Sequence, residues 1–234
     1  MKIKIFFLFS IILGFIILTS LNNNTEIQKK PNIIFIAVDD LRPQLNCYGK
    51  SQIISPNIDY LASNSYTYEN AVCNFPVCGA SRASLLTGLR PNKKRFKSFK
   101  TRMDEDADDV LTIGEWFKSN DYFTLSLGKI SHHTNDSQES WSIPAWRGEK
   151  NWRDYQTKEN IFAAKTNNGA AKAFEIGENL NDDYGDTKMV NKAIEKLDEL
   201  TVKEQPFFMA LGFLKPHLPF NAPKKYWDLY NEKD

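Results

Sequence analysis

The sequence lacks an excess of either charge: 30 Lys and Arg stand against 29 Asp and Glu, a net +1. Bulk electrostatics therefore argue neither for a nucleic-acid partner nor for a general polyanion binder. No internal repeat or low-complexity tract stands out, apart from the asparagines at 22–24. The one long apolar run, Ile5 to Leu18, falls short of the roughly 20 residues that a membrane span needs. No cysteine lies near its end, so nothing supports a lipid anchor. Cysteine is scarce and odd in number, with Cys47, Cys73 and Cys78, which cannot all pair with one another. At 234 residues with 41% hydrophobic and 25% charged residues, the chain is long enough for one packed core.

The first residues, "MKIKIFFLFSIILGFIILTS", set two lysines before the apolar run, and polar "NNNTEIQKK" follows. That is the layout of a secretory signal peptide ending near residue 22, with uncleaved anchoring as the alternative. The expected location is periplasmic or extracellular, or a secretory lumen in a eukaryote, with no stable membrane span once the signal is removed. In an oxidising compartment a leftover thiol needs a reason. If Cys78 is chemically consumed, Cys47 and Cys73 remain free to pair or to stay buried. Three unpaired buried cysteines are an equal alternative on counting alone.

"NIIFIAV" (32–38) reads as a buried strand of parallel type, running straight into Asp39 and Asp40. "SPNIDYLASNS" (55–65) predicts a short helix with Ser55 as cap and Pro56 at its first position. A helix at 110–120, a strand at 122–128, a helix at 186–200 and a strand at 206–213 follow. In the second of these helices Val190, Ala193, Ile194, Leu197 and Leu200 fall on one stripe. The α/β rhythm predicts a mostly parallel sheet flanked by helices. Residues 131–185, rich in Trp, Asn, Asp and Gly, read as long loops.

Three polar clusters sit just past predicted strand ends: Asp39-Asp40, "GKISHH" (128–133) and "KPHLPF" (215–220). Ligands of open α/β sheets bind at the carboxyl ends of strands. Consecutive aspartates on such a turn suit a hard divalent cation. An Asp-Asp pair alone is more often a solvated turn or a helix cap.

Together with Cys78-Gly79-Ala80-Ser81-Arg82 and the following "ASLLTG", these clusters resemble the sulfatase family of the alkaline-phosphatase superfamily, in its iduronate-2-sulfatase-like branch. The resemblance runs in order through "PNIIFIAVDDLRPQLNCYG", "SPNIDYLA", "GLRP", "GKISHH" and "FLKPHLPF". It implies an alkaline-phosphatase-like fold, with 31–234 as the N-terminal part of the catalytic domain. It also implies hydrolysis of a sulfate ester, on a sulfated sugar or polysaccharide, after a maturation enzyme oxidises Cys78 to formylglycine. A hydrated aldehyde suits the chemistry better than a thiol, because its second hydroxyl lets the adduct expel sulfate. By the same resemblance Asp39, Asp40 and the modified Cys78 would hold Ca2+, with Mg2+ as the other option. Arg82 would hold the formylglycine, and Lys129 would bind sulfate oxygens. His132, preferred over His133 by its spacing from Lys129, would take the proton that releases sulfate. His217 would assist the leaving group, with Lys215 a weaker candidate. Each of these is also open to a plainer reading as a surface, turn-shaping or ion-pairing residue.

The family's commoner proline is replaced by Ala80, and family members are about twice as long, with later metal ligands and a further lysine. On that ground the 234-residue chain alone is expected to be incomplete and poorly active. Two rival readings stand. One is a phosphodiesterase or phosphonate hydrolase of the same superfamily, disfavoured by the cysteine motif with Arg82. The other is a non-catalytic glycan-binding remnant using "KKRFKSFKTR" (93–102), although the acidic run 104–109 that follows suggests mutual neutralisation. A tyrosine-phosphatase loop needs arginine six positions after the cysteine, where Ser84 stands. Trp141, Trp146 and Trp152 are candidates for stacking on sugar rings.

Overall fold

The computed structural model describes residues 29–148, 152–177 and 184–231, so the expected leader at 1–22 lies outside the described residues. The elements are β1 (Ile33–Val38), α1 (Pro56–Ser63), α2 (Cys78–Thr87), α3 (Met103–Asp106), α4 (Ile113–Ser119), β2 (Phe123–Gly128), α5 (Lys158–Thr166), β3 (Phe174–Gly177), α6 (Gly185–Thr201), β4 (Phe207–Phe213), β5 (Phe220–Pro223) and α7 (Lys224–Trp227). Among the described residues no helix is long and apolar enough to cross a membrane.

β1, β2 and β4 form one parallel sheet in the order β1-β4-β2. Ile33 of β1 pairs with Phe208, and Phe123 of β2 pairs with Phe207. The central strand, β4, has helices over both faces, which is why "FFMALGF" carries no polar residue. One face sends Phe208 and Ala210 against Ala80, Ala83 and Leu86 of α2, with Phe96 and Trp141 beside them. Phe117 of α4 stacks on Phe208 with centroids 4.5 Å apart. The other face sends Phe207, Met209 and Leu211 against Leu125 and Leu127 of β2 and Met189, Ala193 and Leu200 of α6. Each such fully buried large side chain contributes about 1.5–3 kcal/mol relative to exposure.

Four expectations are corrected. The strand β1 is not buried on both faces: Ile34 and Ile36 are 47% and 53% exposed, because α6 covers β4 and β2 but stops short of this edge. On α6 Ala193 and Leu200 are buried and Val190 and Leu197 pack against the same core as expected, but Ile194 is half-exposed and Met189 is buried instead. The region 131–185 is not all loop, since α5 and β3 lie in it, and β3 pairs in parallel with β5 in a second, two-stranded sheet. Ser55 occupies the cap position of α1 but makes no cap hydrogen bond; its hydroxyl donates to Asp59 Oδ1 at 3.1 Å instead.

All three cysteines are unpaired, with Cys73 exposed and Cys47 half-buried. The helix α4 starts as its sequence suggests, through a capping box between Thr112 and Glu115.

Candidate active site

The carboxyl ends of β1, β2 and β4 lie side by side, and the polar clusters leave from them. The β1 ladder extends one step further, with Asp39 N–H donating to Phe213 O at 3.0 Å. This pins Asp39, only 4% exposed, over the sheet end. Asp40 then turns away to solvent with φ of 56°, a left-handed conformation that Asp tolerates better than most residues. Lys129 leaves β2 after Gly128, whose φ is 75° and whose missing side chain lets the Gly212 carbonyl approach. Lys129 N–H donates to that carbonyl at 2.8 Å.

Cys78 occupies the first turn of α2, where free N–H groups favour negative charge. The helix can reach this place because residue 79 is glycine: a Cβ there would lie 2.5 Å from the Phe99 carbonyl oxygen. One turn on, Arg82 is buried, and its guanidinium links three elements. Its Nη2 donates to Asp39 Oδ1 at 2.8 Å, and its Nη1 donates to the carbonyls of Ile130, at 2.9 Å, and Lys129. The Lys129 ammonium takes the second oxygen of Asp39. Burial alone would push the Asp39 carboxyl up, but Arg82 and Lys129 together outweigh it and hold it below the ordinary aspartate range.

Cys78, Lys129, His132 and His217 line one cavity of about 650 Å3, with Phe99, Trp152 and Lys188 also in its wall. Asp39, Asp40 and Arg82 do not line it; Lys129, which contacts Asp39, does. His132 is held neutral, with its pKa pushed down to about 4 by burial and then by the charges of Lys129, His133 and Arg147. Its buried Nδ1 has no hydrogen-bond partner among the described residues. The His133 ring stands edge-on to it at 4.9 Å and does not line the cavity. His217 Nδ1–H donates to Leu218 O at 2.7 Å, which leaves Nε2 directed toward Asp40 Oδ2, 3.9 Å away.

Ligand atoms of Asp39, Asp40 and His217 all lie within 4.8 Å of one another, and they form the one such acidic-imidazole group among the described residues. Two carboxylates and an imidazole nitrogen fit a divalent cation. The group includes His217 and not Cys78. Lys215 braces its own loop, its Nζ donating to His217 O at 3.2 Å and Pro219 O at 2.7 Å, and it does not line the cavity. Of the tryptophans, Trp141 belongs to the core and Trp146 bridges Leu127 at the edge of β2. Trp152 alone of the three faces the cavity, edge-on to His217 with centroids 5.2 Å apart.

Two positioning residues escaped the sequence reading. Arg147, its pKa pushed down to about 10 by burial and by Arg82, donates to Ser131 Oγ at 3.0 Å and to the carbonyls of Ser131, His132 and His133. It thereby shapes the loop that carries His132. Asp186, at the start of α6, accepts from Leu214 N–H and Lys215 N–H, each at 2.9 Å, and fixes the departure of the His217 loop from β4. An acid in a first helical turn is ordinary, and an isolated arginine after a tryptophan gives no signal.

Comparison with known proteins places the chain in one family. The sulfatase family profile matches residues 31–234. Iduronate 2-sulfatase of Homo sapiens is 37% identical over 210 residues, covering 85% of this chain and 37% of that protein. A sulfatase of Formosa agariphila is 32% identical over 225 residues, covering 88% of this chain and 43% of that protein. The crystal structure of the phosphonate monoester hydrolase of Agrobacterium radiobacter superposes with a TM-score of 0.63 at 17% identity, covering 88% of this chain and 45% of that one. The chain thus spans about two fifths of the length of the curated relatives it matches. With the family profile matched over residues 31–234, the chain belongs to the sulfatase family.

Proposed function

We propose that the whole protein hydrolyses a sulfate ester carried by a saccharide, with residue 78 matured from cysteine to formylglycine. The observation that carries this reading is the shared cavity of Cys78, Lys129, His132 and His217 at the sheet end where Asp39 sits. A formylglycine at residue 78 supplies a hydrated aldehyde as nucleophile in place of a thiol. Asp39 and Asp40, with His217 beside them, would hold a divalent cation, Ca2+ suiting the carboxylates best, which supplies Lewis-acid polarisation.

The chain's own groups do the rest. Lys129, in the cavity wall and in contact with Asp39, would place its ammonium against sulfate oxygens. Arg82 holds the first turn of α2 against Asp39 and so keeps residue 78 at its post. His132, neutral throughout the working range, accepts the proton whose loss allows sulfate to depart. His217 lines the cavity beside the place of the leaving group, and its Nε2 could donate a proton there only as the protonated ring and not while holding the cation.

A saccharide substrate is supported by the relatives, one of which is named for iduronate, and by Trp152 in the cavity wall. We further propose that the protein is exported and that a separate maturation enzyme installs the aldehyde. The test is mass spectrometry of the Cys78 peptide from protein made in its native host, paired with sulfate release from sulfated sugars. A loss of about 18 Da is expected on replacing SH and H by a carbonyl oxygen. An unmodified thiol in protein that still releases sulfate overturns the reading.

A further inference from the structure

Residues 90–100, "RPNKKRFKSFK", carry six cations and no acid, in a chain whose net charge is only +1. Among the described residues the acidic run that follows makes no ion pair with them. Asp104 and Glu105 are taken by Arg102, and Asp106 accepts from Phe96 N–H at 3.1 Å. Lys93, Lys94, Lys97 and Lys100 are all exposed, and none of the four makes an ion pair among the described residues.

This loop is built rather than merely solvated. Asn92 Oδ1 accepts from Lys94 N–H at 2.8 Å and from Arg95 N–H at 3.1 Å, and Asn92 N–H donates to Arg95 O at 3.1 Å. Phe96 is fully buried and anchors the middle of the loop in the core. Ser98 Oγ accepts from Lys100 N–H at 3.1 Å. A backbone fixed in this way leaves only side-chain freedom to be lost on binding.

The loop also leads to the catalytic cavity. The Phe99 backbone packs on Gly79, next to Cys78, and the Phe99 ring lines the cavity, 6.4 Å from the His132 ring. Lys100 is the next residue. We propose that residues 90–100 form a docking track for the anionic chain of a sulfated polysaccharide, which enters the cavity past Phe99. The track rests on the sulfatase reading of the cavity and extends it to a polymeric, multiply charged substrate. Clustered basic residues recognise such polyanions through summed local fields. A nucleic acid has no matching reason to end at this cavity, and Phe99 is the only exposed aromatic in the loop that a membrane could take up.

The test is calorimetric binding of a heparin dodecasaccharide by the full chain and by the variant Lys93→Gln, Lys94→Gln, Lys97→Gln, Lys100→Gln. Exposed substitutions of this kind leave folding intact, checked by circular dichroism. The variant should bind the dodecasaccharide at least tenfold more weakly, and wild-type binding should weaken between about 50 and 300 mM salt as exposed charges are screened. Affinity unchanged within twofold in the variant overturns the track. Tighter binding of a DNA duplex or phosphatidylserine vesicles of equal charge, through the same lysines, overturns its assignment to a glycan. The mass of the Cys78 peptide reports on the hydrolytic reading separately, so the two can fail apart.

Discussion

Arg82 Nη2 meets Asp39 Oδ1 at 2.8 Å, so the first turns of α2 are bolted to the end of β1 through a buried ion pair. The residue expected to be the nucleophile and the residue expected to hold the cation are therefore positioned by a single contact. Asp39 thus serves structure, and on the proposed reading chemistry too, whereas Asp40 would serve chemistry alone.

Substitution should separate those roles. Asp39→Asn leaves Arg82 and Lys129 without their shared partner and should cost on the order of 3 kcal/mol, read from urea unfolding. Asp40→Asn keeps a side chain at home with positive φ on an exposed turn and should change stability by less than about 0.5 kcal/mol. Both should weaken Ca2+ binding in a calorimetric titration. Equal stability loss in the two variants would contradict the assignment.

The imidazole of His132 should titrate near pH 4 in an NMR experiment, not near 6.5. Burial is the main cause, and Lys129 is the next, so Lys129→Met should raise that value. The folded chain refuses a proton that the unfolded chain accepts between pH 6.5 and about 4. This group therefore makes stability fall as pH drops through that window and has no such effect above it. His132→Gln should flatten that part of the stability profile; an unaltered profile would count against a buried neutral ring.

Arg147→Met should release the loop 131–133, because its carbonyls lose their donors. The cost should be about 1–3 kcal/mol for the unsatisfied groups. A purely structural role would stop there. Arg147 also depresses the His132 pKa, so the variant should shift that titration upward.

Gly79→Ala sets a methyl against the Phe99 backbone, which cannot retreat like the end of a flexible side chain. Overpacking of this kind costs about 1–3 kcal/mol. The start of α2 should shift with it, and sulfate release by the mature whole protein should fall further than stability alone explains.

Much of this arrangement was legible in the residues. β1, β2 and β4 announce themselves as apolar runs that stop at polar clusters, and a parallel sheet places such stops at one end. The second sheet was not legible, because "FEIG" and "FNAP" are four-residue strands with little pattern. Its Glu175 is 3% exposed, a burial that only its donors explain: Gln156 and Thr157 N–H, the Thr157 hydroxyl and the Asn160 amide. Arg147 and Asp186 stayed hidden for a related reason. They act on backbone carbonyls and N–H groups, whose positions exist only once the chain is folded.

The half-open flank of β1 has a practical consequence. Ile34 and Ile36 face water there, and among the described residues no neighbour pairs with the strand's outer side. Such a rim is a template for whatever extended polypeptide arrives first. Purified alone and concentrated, this chain should scatter light increasingly with time, and lysine at position 34 or 36 should keep it clear.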